Sequence, residues 1–230
     1  MAITVAAVGL AACGPGLPKP VSALVTAARS AMLAKGSVHI DIEGYKDGKR
    51  APVDSVVGDI GLASTAERIV EQNATVTIRV TPAAAFFTGN KKGLTNIAGL
   101  TLAQANRAGT DWVELKKGTS QYKSFSSGAT LSGLVSSLLP TGASAVKLKS
   151  AVFKGSKVKE LTWKATVSGS SQQFTQELFL SATDGPLAVD EISIGQGESQ
   201  TGTFADWGEH VSVPVPAAGT TIGFSAVTKG

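Results

Sequence analysis

The sequence predicts an α+β fold in which helices lie on a curved antiparallel β-sheet, and three observations carry this expectation. From Ser144 onward, short alternating segments follow one another through glycine-containing turns with no helix-forming stretch between them, which excludes a βαβ arrangement. Thr130 to Leu139 places Leu131, Leu134, Val135, Leu138 and Leu139 at i, i+3, i+4, i+7 and i+8, an apolar stripe that needs a surface beneath it. Hydrophobic residues make up 43% of the 230 residues and charged ones 17%, which suffices for a sizeable core in one large β-rich domain or two small ones.

In chain order, Ala2 to Leu10 is a short apolar run ending in Leu10-Ala11-Ala12-Cys13, which holds the only cysteine. The tetrapeptide resembles a bacterial lipobox. A peptidase that holds extended backbone in a narrow cleft needs the small residues, and the thiol is the nucleophile that accepts a diacylglyceryl group. Residues 1–12 are therefore expected to be a signal peptide and Cys13 the lipidated first residue of the mature chain. That places the protein at the cell membrane, facing the extracytoplasmic side. A secretory leader opens with positive charge, and Met1 to Leu10 has no lysine or arginine, so its start is expected upstream of Met1. A lone cysteine otherwise reads as a small buried hydrophobe or a free thiol. Gly14 to Pro20 carries three prolines and two glycines and completes a tether over 13–20.

Ser22 to Lys35 has helical spacing through Leu24, Ala28 and Ala31, with Ser22 as the expected cap and Gly36 as the stop. Val38 to Glu43 alternates with Val38, Ile40 and Ile42 inside and His39 outside, and Asp47-Gly48 signals a hairpin. Val56 to Leu62, Glu67 to Gln72, Thr75 to Val80 and Ala84 to Asn90 follow as strands, and Asn73-Ala74-Thr75 reads as a turn. Leu100 to Ala108 is expected to be a helix with Leu102 and Ala105 inward, and Asp111 to Leu115 a strand with Trp112 on the face opposite Val113 and Leu115. After the Thr130-capped helix, which Pro140 stops, strands are expected around Val146 to Lys149, Leu161 to Val167, Phe174 to Leu180, Leu187 to Ile194, Gln200 to Phe204 and Val211 to Val215.

Four segments, in this order, together resemble the actinobacterial lipoproteins of the LppX/LprG type, whose fold is related to the periplasmic carrier LolA. They are the lipobox followed by a helix and Ser37 to Gly44; Phe87-Thr88-Gly89-Asn90 with Ala105 to Val113; Leu178 to Leu187; and Phe204 to Pro216. The resemblance runs from the lipobox almost to the C-terminus. It implies one domain over 21–230, a strongly curved, unclosed half-barrel with helices on its concave side, and an acylated lipid or lipoglycan held between sheet and helices. Cys13 is the one functional residue the motifs carry over.

An acyl-chain site needs a concave apolar wall, because each methylene removed from water contributes about 0.8 kcal/mol. Phe86, Phe87, Leu131, Leu134, Val135, Leu138, Trp163 and Leu178 are the wall residues this reading selects, and they suit an ordinary filled core equally well. In that case the protein is a ligand-free envelope interaction lipoprotein. Lys147, Lys149, Lys154, Lys157, Lys159 and Lys164 lie close in sequence and suit either lipid phosphates or guarded edge strands.

The net charge of +4 is compatible with an anionic membrane surface and equally ordinary for this length. Basic runs interleaved with aromatics are absent, so nucleic acid is not an expected partner. No nucleophile elbow, metal-ligand spacing or phosphate loop is present, so no catalytic residue, metal or cofactor is expected. His210 stands beside Glu209, but adjacent strand residues face opposite ways.

Overall fold

The computed structural model describes residues 20–48, 54–141, 145–166, 173–195 and 197–229. The expected leader, Cys13 and the tether up to residue 19 lie outside the described residues.

The chain runs α1 (Val21–Lys35), β1 (Ser37–Lys46), β2 (Asp54–Gly61), β3 (Thr65–Glu71), β4 (Ala74–Val80), β5 (Ala84–Gly89), α2 (Lys91–Asn96), α3 (Leu102–Ala108), β6 (Trp112–Lys116), α4 (Ser120–Gly128) and α5 (Leu131–Leu138). It continues through β7 (Lys147–Phe153), β8 (Ser156–Thr166), β9 (Gln173–Ser181), β10 (Ala188–Gly195), β11 (Glu198–Ala205), β12 (Thr221–Gly223) and α6 (Phe224–Thr228).

The strands form one sheet in the order β12-β6-β5-β4-β3-β2-β1-β11-β10-β9-β8-β7. It is a curved, unclosed half-barrel, as expected, with one departure: β12 runs parallel to β6, whereas every other pair is antiparallel. The first and second halves of the chain join through β1 and β11, with Ile40 opposite Phe204 and Ile42 opposite Gly202.

Strand period 2 sorts the residues onto two faces. The concave face takes Val38 and Ile40 of β1, Val76, Ile78 and Val80 of β4, Leu161 and Trp163 of β8, and Leu178 and Leu180 of β9, all of them buried. Two cores share this face. In the first, Leu24, Ala28 and Met32 of α1 and Leu131, Val135 and Leu138 of α5 pack on β1, β8 and β9. In the second, Leu94 of α2, Ala105 and Ala108 of α3 and Val227 of α6 pack on β4 to β6. Gly93 makes the second core possible, because a Cβ there would overlap the Thr75 carbonyl of β4.

Gly36 alone joins α1 to β1, and its φ of 83° is the left-handed conformation a helix stop requires. So tight a reversal sends the helix back along β1. It ends where Leu62 N–H donates to Gly36 O, the same end at which α5 begins, since Thr65 Oγ1 donates to Ala129 O. The two helices therefore run in opposite senses, and Arg29 Nη1 reaches Ser136 Oγ at 3.4 Å.

Four local expectations are corrected. Ser22 does not cap α1, whose N-cap is Pro20 without a side-chain bond. Leu102 is the first residue of α3, placed there by the Thr101–Gln104 capping box, and is 60% exposed. Thr130 occupies the N-cap of α5 but makes no capping bond, its hydroxyl meeting Ser132 instead. Val211 to Val215 forms no ladder. That segment contributes instead the Pro214 carbonyl, which accepts from Arg79 Nη1 at 3.0 Å, while the same guanidinium lies 4.4 Å over Trp112.

Candidate functional site

The helix that roofs the first core is too short for the strands beneath it. The ten residues of β1 extend about 33 Å, whereas the eight of α5 cover about 12 Å before the chain leaves at Leu139 and Pro140. Beyond Leu138 the concave floor is uncovered, and small or polar residues stand there: Gly44 on β1, Gln200 on β11 and Ser193 on β10. The result is an open cleft of about 730 Å³, bounded by β1 to β3 on one side, β9 to β11 on the other and the last turn of α5 above.

Its apolar part includes Ile42, Val56, Ile69, Leu134, Leu138 and Phe174. Gln173, Gln176, Gln200, Ser193 and Glu191 are polar residues of β9 to β11 that also line it. Among the described residues the charged lining is Asp54, Glu71, Glu191 and Glu198 against Lys46, which itself lies 3.4 Å from Glu198.

The sequence selected eight wall residues, and the structure brings two of them, Leu134 and Leu138, to this cleft. Leu131, Val135, Trp163 and Leu178 pack inside the first core. Phe87 lies in the second core, its ring 5.5 Å from Phe125. Phe86 is buried on the opposite, convex face, between Arg79 and Glu114 of the neighbouring strands.

The lysines do not form one patch. Lys147, Lys149 and Lys164 share the convex face, whereas Lys157 and Lys159 fall on the face of Leu161. Lys149 bonds the buried Glu160 at 2.7 Å, and Lys154 bonds the buried Asp190 at 2.5 Å as the β7–β8 turn folds Phe153 onto Phe179. His39 is paired with Asp59 at 2.7 Å on the convex face, and His210 is exposed. Among the described residues no group of three or more His, Cys, Asp or Glu is placed to hold a metal, and no helix is long and apolar enough to cross a membrane.

Two carboxyls on the concave face went unrecognised in the sequence. Glu191 is 6% exposed and lines the cleft; its Oε1 accepts from Gln176 Nε2 and from Ser193 Oγ. Burial raises its pKa above the usual carboxylate range, against the opposing pull of those two hydrogen bonds. Glu67 lies one pleat inward from the cleft-lining Ile69, between Gly58 and Ile78 of the flanking strands. Burial pushes its pKa up to about 7. The signal was an acid inside an apolar strand: in Asp190-Glu191 one of two adjacent carboxyls must face inward, whichever register the strand adopts.

No protein-family model matches the sequence, and no curated protein matches it. Solved structures do. LprF from Mycobacterium bovis gives a TM-score of 0.52 at 12% identity, over 88% of this chain and all of that one. The lipoprotein LppX of Mycobacterium tuberculosis gives 0.43 at 15% identity, over 81% and 98%. A LolA-superfamily protein from Nitrosomonas europaea gives 0.28 at 9%, over 78% and 92%. The chain has the fold of LprF, which is the half-barrel that the sequence resemblance implied.

Proposed function

We propose that this chain, folded as LprF is, serves as a cell-envelope lipoprotein, anchored through Cys13, that binds an acylated lipid or lipoglycan between its sheet and α5. The observation that carries the reading is the cleft where α5 stops short of the sheet. It is concave, its lining combines apolar side chains with amides, hydroxyls and carboxylates, and its volume falls within the roughly 300–1,000 Å³ of small-molecule sites. An acyl chain laid against Ile42, Val56, Ile69 and Leu138 removes methylenes from water at about 0.8 kcal/mol each, while the polar side meets a head group. The protein binds and carries; it does no chemistry on its ligand.

Native mass spectrometry of protein extracted from its own membrane tests this. The expected result is an adduct of lipid mass that weakens or disappears in Leu134→Trp, whose indole projects into the apolar part of the cleft. Repeated recovery of lipid-free wild type overturns the reading.

A second reading has its own observation: Leu131, Val135, Trp163 and Leu178, expected as ligand wall, are packed against one another. An envelope interaction protein with a filled core fits that packing. Recovery of one stoichiometric protein partner, without lipid, identifies it.

A further inference from the structure

We infer that the polar side of the cleft is a seat for a protonated primary amine, so that the ligand is a cationic amphiphile. This rests on the lipid-binding reading above and names the head group. The buried Glu191 offers one oxygen to the protein and the other to the cleft. Oε1 is taken by Gln176 and Ser193. Oε2 takes no hydrogen bond among the described residues, and since no buried side-chain oxygen there lacks a partner, Oε2 opens onto the cavity that Glu191 lines.

A free carboxylate oxygen at the end of an apolar groove calls for a donor, and a charged donor makes the strongest bond to it. The surroundings agree in sign. Among the described residues Asp54, Glu71 and Glu198 add three more carboxylates to the cleft lining, which holds no arginine and a single lysine, Lys46, already beside Glu198. The whole chain carries +4, so this local excess of negative charge runs against the rest of the molecule. A phosphate head seated here would be desolvated against like charges, whereas an ammonium gains a partner where the field is least screened.

Isothermal titration with three amphiphiles of one chain length, dodecylamine, dodecyl glucoside and dodecyl phosphate, each below its micellar concentration, tests the assignment. The expected order is amine, glucoside, phosphate, with the amine about tenfold tighter than the glucoside, the size of one charge-assisted hydrogen bond. Glu191→Gln removes that margin and leaves the glucoside unchanged. Asp54→Asn with Glu71→Gln, both at the more exposed rim, weakens the amine and flattens its salt dependence, which keeps the test open if the buried variant fails to fold. Equal binding of all three, phosphate binding as tightly as amine, or an amine affinity indifferent to both variants overturns the amine seat and leaves lipid binding intact. If none of the three binds, the lipid-binding reading falls, and the seat with it.

Discussion

Replacing Glu67 with glutamine separates the effect of a buried charge from everything else in the sheet. In the unfolded chain its carboxyl titrates near 4.5, and in the fold near 7. The raised value means the fold prefers the protonated form. Its contribution to stability is full below about pH 4.5, is lost as the pH rises through 7, and changes no further above that. A gap of about 2.5 pH units corresponds to about 3 kcal/mol. The glutamine amide is neutral at every pH and nearly the same shape, so Glu67→Gln lacks this slope. Urea unfolding followed by fluorescence of the three tryptophans gives the difference between variant and wild type at pH 5 and pH 8. The variant is expected to gain about 2 to 3 kcal/mol on wild type between those two conditions. Glu191 also titrates high, but it is present in both proteins and cancels in the difference. A difference that stays constant between pH 5 and pH 8 refutes the assignment of a solvent-starved carboxyl at this position.

Other substitutions probe other parts of the argument. Leu178→Ala empties a fully buried position of the first core and should lower stability by about 2–5 kcal/mol in the same assay. Gly93→Ala forces a methyl into the Thr75 backbone, so a loss of about 1–3 kcal/mol is expected, with no change in ligand affinity, because α2 lies away from the cleft. Trp207→Phe deletes the 2.9 Å bond from Nε1 to Ala188 O and should cost about 1–3 kcal/mol by denaturant midpoint, since that carbonyl is buried. Cys13→Ser should move the protein from the membrane to the soluble fraction on centrifugation of lysed cells; retention in the membrane refutes the anchor.

Much of the fold is readable in the residues, for reasons that also explain the failures. The strands carry an apolar period of two that packing obeys, as in Val76, Ile78 and Val80, and α5 announces itself through Leu131, Val135 and Leu138 before Pro140. Ser120 to Gly128 gives no such sign. It is mostly serine and polar residues, and it becomes a helix because Thr119 caps it and because Tyr122 and Phe125 find the second core, a tertiary effect no local pattern records. Conversely, Val211 to Val215 alternates well but finds no strand to pair with, and Pro214 has no N–H to donate. The cleft is harder still. It arises from the difference in reach between a strand and a helix, so two of its walls are leucines the stripe predicts, while its floor is set by residues whose inward direction depends on register across the sheet.

The single-residue reversal at Gly36 also decides how the molecule hangs. Arg29 stands level with Ser136, beside the last turn of α5, and about 12 Å of helix separates it from Val21 in the direction of the opening. Val21 thus lies farther toward the open end of the sheet than the last turn of α5 does. Under the proposed anchoring through Cys13, a body held from that end of α1 would turn its cleft toward the bilayer, and a lipid drawn from it would have only a short path to travel.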